Sequence, residues 1–269
     1  VCALLAQPPK NVAIVGGGLA GLATAHALLQ RDPHLALDLI DPAAPGDGGA
    51  SAAAAGLLHP YARTGRELWR GVDGYDAARR LLALAQPYAH DGELLASSRG
   101  MLRLAMSDEQ ATGLSTSAAA WADGGSSEEA LQQQWVALAD VSRLAAAGRA
   151  PMGDDVRGAL FAECALLVDT PAYLRALWRA CSAGGRARWL HKRVVSLSEL
   201  EADRYDAVVV CAGAASTQIR ELAQLPLKPC RGQSLVLRNE GALLRPLIAG
   251  KYAVPLGSPP PPDGAPPPV

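Results

Sequence analysis

Gly16, Gly18 and Gly21 stand in G-x-G-x-x-G spacing between an apolar run and a helical pattern, and nothing else in the chain restricts its fold so strongly. Residues 12 to 16 (VAIVG) form the short apolar run of a strand. Leu19, Leu22, Ala25, His26 and Leu29 then recur at helical spacing until Asp32 and Pro33 end the pattern. A second apolar run from Leu35 to Asp41 (LALDLID) closes a β-α-β unit of about thirty residues, the length such a unit needs. In that setting the glycines let the backbone turn tightly and face its free amides toward a pyrophosphate at the positive end of the helix. Asp41, at the end of the second strand, can accept hydrogen bonds from ribose hydroxyls and would repel a 2′-phosphate, which argues against NADP. The glycine spacing admits either FAD or NAD.

The chain of 269 residues is long enough for one large α/β domain or two smaller ones. Its 49% hydrophobic and 19% charged residues exclude wholesale disorder, and a net charge of -1 gives no global pull toward nucleic acid or anionic lipid. No stretch has the apolar length of a membrane span, so no membrane partner is expected. Cys2, Cys164, Cys181, Cys211 and Cys230 are odd in number and lack a C-x-x-C pair, which argues against a metal site or a disulfide framework. They read as small buried hydrophobes in a reducing compartment, so an intracellular location, cytoplasmic or organellar, is expected. The sequence opens on Val1 rather than Met, so the true N-terminus is expected to lie upstream, with room for a transit or signal peptide before Val1.

Further along, PAAPGDGGASAAAAG (residues 42 to 56) reads as a long loop passing close to a ligand, and Arg66 to about Ala85 as a surface helix. MLRLAM (101 to 106) is a strand candidate, with weak helical patches at Glu128 to Val136 and Val141 to Ala147. Thr170 can cap a helix with Pro171 in its first turn and Gly184 and Gly185 at its end. Strands are expected at 188 to 197, 206 to 213 and 231 to 238 (RGQSLVLR), and a short helix at Ser216 to Ala223. SPPPPDGAPPPV (258 to 269) is a proline-rich tail that cannot join a sheet. There is no G-x-S-x-G, P-loop or H-E-x-x-H motif to support hydrolase or kinase chemistry.

Several pieces, taken in order, resemble the D-amino-acid oxidase family of FAD-dependent oxidoreductases, which includes glycine oxidase and sarcosine oxidase. They are VAIVGGGLAGLATAHAL, GASAAAAGLLHP (49 to 60), VVSL (194 to 197), YDAVVVCAGAAS (205 to 216), KPCRGQSLVL (228 to 237) and KYAVP (251 to 255). The LLHP and RGQ pieces are similar to the flavin-dependent half of the bifunctional tRNA wobble-uridine (5-methylaminomethyl-2-thiouridine) enzymes, which makes tRNA a possible substrate. The resemblance implies a Rossmann-like FAD/NAD(P)-binding domain with a second, mixed-sheet substrate domain, an α/β fold. It apportions residues 1 to 91 and 151 to 228 to FAD binding, and 92 to 150 and 229 to 257 to the substrate domain. It departs from the family at Ala215, where a Trp is usual. The chain also lacks the family's later β-region, substrate-anchoring arginine and closing glycine-rich segment, so truncation is expected.

Residue by residue, the resemblance implies that Gly16, Gly18, Leu19, Ala20, Gly21, Ala212 and Gly213 surround the pyrophosphate. It implies that Asp41 holds the adenosine ribose and that Val194 lies beside adenine. Ser51, Ala55, Gly56 and Leu57 would line the isoalloxazine edge, where small side chains suit a loop crossing a flat ring. Tyr252 matches the family tyrosine whose hydroxyl points toward the substrate carboxylate. His59 reads as structural, and Arg231 as a hydrogen-bond donor at a domain crossing. The implied reaction is dehydrogenation of the C–N bond of an amino acid or secondary amine by hydride transfer to FAD, with no acid-base dyad. The alternatives are an NAD-dependent dehydrogenase and a catalytically inactive nucleotide-binding fragment.

Overall fold

The computed structural model describes residues 10–122, 133–145, 153–201, 205–238 and 243–256. The first part runs β1 (Asn11–Val15), α1 (Leu19–Arg31), β2 (Ala36–Ile40), α2 (Gly49–Ala52), β3 (Leu57–Leu58), α3 (Gly71–Ala85), β4 (Ala96–Ser98) and β5 (Met101–Ala105). Next come α4 (Asp108–Ala122), β6 (Gln133–Ala137), α5 (Leu138–Ala145), β7 (Gly158–Ala162) and β8 (Leu166–Val168). The chain continues through α6 (Thr170–Ser182), β9 (Ala187–Leu190), α7 (Ser198–Glu201), β10 (Ala207–Val210), β11 (Leu247–Ile248) and β12 (Tyr252–Ala253). It divides into two compact units, Val1–Ala54 with Arg80–Leu95 and Thr170–Ser234, and Ala55–Arg79 with Ala96–Asp169 and Leu235–Val269.

The first unit is built on a parallel sheet in the order β10-β1-β2-β9. Four successive residues are buried in both β1 and β2, all of them apolar except Asp38, as suits parallel strands covered on both faces. Helix α1 buries Gly21, Leu22, Ala25 and Leu29. Its C-terminal carbonyls are taken up by Arg186, whose guanidinium donates to Leu29 O at 3.0 Å and Asp32 O at 2.8 Å, a cation at the negative helix end. A further core of Ala13, Val15, Ile40, Val194, Leu200 and Ile219 covers the sheet. Thr170, expected as the cap of α6, is its first residue, and its hydroxyl donates 3.3 Å to Ala54 O.

The second unit holds a mixed sheet in the order β12-β11-β5-β7-β6 and a small antiparallel sheet, β3-β8-β4. Met101, Ala162 and Ile248 pack on one face of the larger sheet with Tyr61, Tyr75 and Cys164, and Leu102, Leu104 and Ala159 on the other with Val136, Val141 and Ala145. Alternation along β5 sends its residues to both cores. The α/β class and the parallel dinucleotide-type sheet agree with the sequence reading.

Several local expectations are corrected. The described part of the Glu128 to Val136 patch is strand, because Gln133 to Ala137 ladder onto β7 and pairing outweighs weak helical propensity. The helix expected from Arg66 starts at Gly71, since Tyr61 pairs with Glu67 and Arg70 takes a left-handed φ of 51° that a helix cannot continue through. The loop at 42 to 56 contains one helical turn, α2. The strand expected at 188 to 197 stops at Leu190, where Lys192 N turns back to Leu190 O. RGQSLVLR forms no strand and has no sheet partner among the described residues, leaving Leu235 85% exposed, because apolar alternation alone supplies no neighbouring edge. Ser216 to Ala223 forms 3₁₀ turns at Gly213–Gln218 and Arg220–Leu222. The proline-rich tail lies outside the described residues, as do Ala146 and Ala147.

Candidate cofactor site

The first unit gathers its candidate residues at the end of β1. Gly16 has φ of 110°, and a side chain there would overlap the Cys211 carbonyl at the end of β10. A Cβ on Gly21 would overlap Gly16 O, so the helix can approach the strand only with glycine at both positions. Gly18 has no side chain to cap α1. Ser51 fills that role from α2, accepting from Leu19 N at 3.2 Å, and a Cβ on Gly18 would stand 2.8 Å from its Oγ. The Gly18, Ala20 and Gly21 N–H groups have no hydrogen-bond partner among the described residues. They are donors at the positive end of a 13-residue helix, the arrangement that takes a pyrophosphate.

Asp41 does more here than the sequence reading assigns to it. Its Oδ2 accepts from Gly17 N at 2.8 Å and its Oδ1 from Ala43 N at 2.8 Å, so the carboxylate fixes the turn it borders. Each oxygen has a second lone pair, which leaves acceptor capacity for a ribose hydroxyl. Trp189 on β9 completes the wall: its Nε1 donates to Ala43 O at 3.1 Å, and a side chain on Gly17 would run into its ring. Sequence reasoning missed Trp189, because its position follows from β9 pairing with β2 across about 150 residues of chain.

Cys211, whose N–H donates to Val15 O at 2.7 Å, links β10 to Ala212 and Gly213, the latter at φ of 54°. This second turn therefore sits against the glycine turn. Val194 is buried in the core with Ala13 and Ile40, and its backbone N–H and C=O have no partner among the described residues. The segment after it is pinned by Glu221, which accepts from Ser196 Oγ and Leu197 N; those bonds hold its carboxyl down at about 2. Gly16, Gly18, Leu19, Ala20, Gly21, Asp41, Ser51, Val194, Ala212 and Gly213 thus all belong to the first unit.

Ala55, Gly56, Leu57 and Tyr252 belong to the second unit. Gly56 has φ of 76°, its carbonyl accepts from Val168 N at 2.8 Å, and a side chain there would overlap the Val168 carbonyl. Its lack of a side chain is thus required by strand packing alone. Tyr252, on edge strand β12, is 62% exposed. His59 Nδ1 accepts from Tyr61 N at 3.2 Å and its ring stacks on Tyr61. Burial, followed by the charge of Arg103, lowers its pKa from 6.5 to about 4. Arg231 is exposed and makes no hydrogen bond among the described residues. No cluster of metal-ligating side chains exists among the described residues, and no described helix is long and apolar enough to cross a membrane.

A family model described as FAD dependent oxidoreductase (DAO) matches residues 11–261. Among solved structures, the chain is similar to glycine oxidase from Geobacillus kaustophilus, with 22% identity and a TM-score of 0.60 over 80% of this chain and 58% of that one. Iminodiacetate oxidase from Chelativorans sp. BNC1 matches with 21% identity and a TM-score of 0.55, over 78% and 57% of the two chains. L-proline dehydrogenase from P. horikoshii gives 17% identity and 0.56 over 82% and 58%. Among curated protein sequences none matches significantly. The chain spans under three fifths of the length of these structural relatives, and the likeness establishes the fold. The FAD implied by the family resolves the choice that the glycine spacing leaves open, and the unpartnered amides, crowded glycines and adjacent β10 turn suit its pyrophosphate. The chain belongs to the DAO family of FAD-dependent oxidoreductases.

Proposed function

We propose that the protein dehydrogenates the C–N bond of a small amino acid or secondary amine. The observation that carries this reading is the free-amide glycine turn packed against Ala212 and Gly213 in a chain of an FAD-dependent oxidoreductase family. Bound flavin supplies the two-electron acceptor. The chain's own part is to hold and orient: the Gly18, Ala20 and Gly21 amides bind phosphate oxygens, Asp41 a ribose hydroxyl, and the Val194 backbone the adenine edge. Ala55, Gly56 and Leu57 leave room for a flat ring, and Tyr252 offers its hydroxyl to a substrate carboxylate. Glycine oxidase and iminodiacetate oxidase, which the fold resembles, support this substrate class. The tRNA aminomethyl group is supported by the LLHP and RGQ resemblance alone.

Anaerobic mixing of the flavin-loaded protein with glycine, sarcosine, D-alanine, D-proline and iminodiacetate tests the proposal. Loss of the visible flavin absorbance with one of them is the expected result. Retention with all of them, flavin being bound, would favour the inactive nucleotide-binding reading.

A further inference from the structure

Trp189 sits on β9, the edge strand of the parallel sheet, in register with Leu39 of β2. It is partly buried and packs edge to face on Trp178 of α6, with ring centroids 5.1 Å apart. Its remaining contacts join two residues that also meet elsewhere. Ring atoms Cζ2 and Cη2 lie against Gly17, where any side chain would collide with them, and Nε1, the one polar atom of the indole, donates to Ala43 O at 3.1 Å. Gly17 and Ala43 are the residues whose N–H groups hold the Asp41 side chain, at 2.8 Å on Oδ2 and 2.8 Å on Oδ1. Both donors to that carboxylate therefore rest on a single indole. The Asp41 N–H is in turn held by Leu190 O at 3.1 Å, the residue beside Trp189 on β9. Gly17, Asp41, Ala43 and Trp189 thus form a closed ring of contacts.

A carboxylate clamped on both oxygens has little rotational freedom left, so its remaining lone pairs point in fixed directions. A ribose hydroxyl gains most from an acceptor that is already aimed, because ordering a side chain during binding costs entropy. An indole suits the bracing role, since its large rigid surface is fixed by only two torsions. Packing between β9 and α6 alone requires neither the bond to Ala43 nor the contact with Gly17.

We propose that Trp189 is a positioning residue of the cofactor site: acting through Gly17 and Ala43, it aims the Asp41 carboxylate and so sets the preference for an adenine nucleotide whose ribose hydroxyls are free. The inference rests on the proposed reading of this turn as the FAD site. Without the indole, Asp41 stays in the chain but loses its fixed direction, so ribose recognition falls while the Gly18, Ala20 and Gly21 N–H groups still take phosphate.

Calorimetric titration of the full chain with ADP and 2′,3′-dideoxy-ADP tests the inference, with FAD retention measured on the same samples. The two nucleotides differ only in the ribose hydroxyls, so the ratio of their affinities reads the hydroxyl–carboxylate interaction and cancels both phosphate binding and any loss of folded protein. Wild type should prefer ADP about tenfold or more. Trp189→Phe, which keeps a ring beside Gly17 and loses the donor to Ala43, should lower that preference to about threefold, and Trp189→Leu should bring it near one. Asp41→Ala should abolish the preference by itself, and adding Trp189→Phe should then change it no further. A Trp189 that only fills space would weaken both nucleotides by the same factor. An unchanged ratio in Trp189→Phe and Trp189→Leu would overturn the inference, as would a wild-type ratio near one in protein that retains FAD. Wild type that binds neither ADP nor FAD would remove the cofactor reading, and this inference with it.

Discussion

Among single residues, two carboxylates, Asp41 and Asp38, and the His59 imidazole are held by the most specific partners. Asp41 holds the Gly17 and Ala43 amides and so fixes the glycine turn, and the proposed function also makes it the acceptor of a ribose hydroxyl. Asp41→Ala should weaken FAD binding by about 1–3 kcal/mol, read as a rise in the FAD dissociation constant from flavin fluorescence quenching. An unchanged constant would show that the carboxylate serves neither role. Asp38 is buried, which works to raise its pKa, but hydrogen bonds from Arg188 at 2.7 and 2.8 Å and from Tyr205 at 2.6 Å more than offset that and keep it ionised. His59 is the group whose proton linkage can be isolated. The unfolded chain takes up its proton near 6.5 and the folded chain only near 4, so the folded state is favoured fully above 6.5 and progressively less as pH falls toward 4. Between those limits His59→Gln should flatten the pH dependence of stability by of order 2–4 kcal/mol relative to wild type, measured by urea denaturation at each pH. Parallel pH profiles for the two proteins would contradict the burial of a neutral imidazole.

At the scale of elements, the first β-α-β unit was legible because its pattern is contiguous. Period two gives way to period 3.6 at the glycines, and an acid closes the second strand within a few tens of residues. What escaped the sequence depends on partners remote in the chain. Ser51 caps α1 from 32 residues away, Trp189 reaches Gly17 only through the β2–β9 pairing, and the 133 to 137 strand exists because β7 lies beside it. RGQSLVLR has strand chemistry but no described partner, and the expected MLRLAM strand is buried at every position from Met101 to Ala105. Glycines separate element from site most sharply. Gly56→Ala should destabilise the protein by about 1–3 kcal/mol, since it combines a left-handed φ with a collision at the Val168 carbonyl. Gly74→Ala, in α3 with open space around it, should instead stabilise by about 0.5–1 kcal/mol. Chemical denaturation compares the two, and equal effects of the same sign would refute the packing assigned to Gly56.

At the scale of the whole molecule, the chain passes repeatedly between its two units, and each unit is assembled from three separate stretches. The residues proposed to grip the cofactor's phosphates all lie in the first unit; spacing singles out Gly16, Gly18 and Gly21, and the family resemblance adds Ala212 and Gly213. The proposed function requires this turn to hold the pyrophosphate of FAD. Titrating wild-type protein and Gly18→Val with FAD, NAD and NADP tests it most directly, because the added side chain enters the space between the turn and Ser51 Oγ. Wild type should bind FAD most tightly, and Gly18→Val, folded as judged by circular dichroism, should retain none. Undiminished FAD binding by that variant, or tighter binding of NADP by wild type, would contradict it.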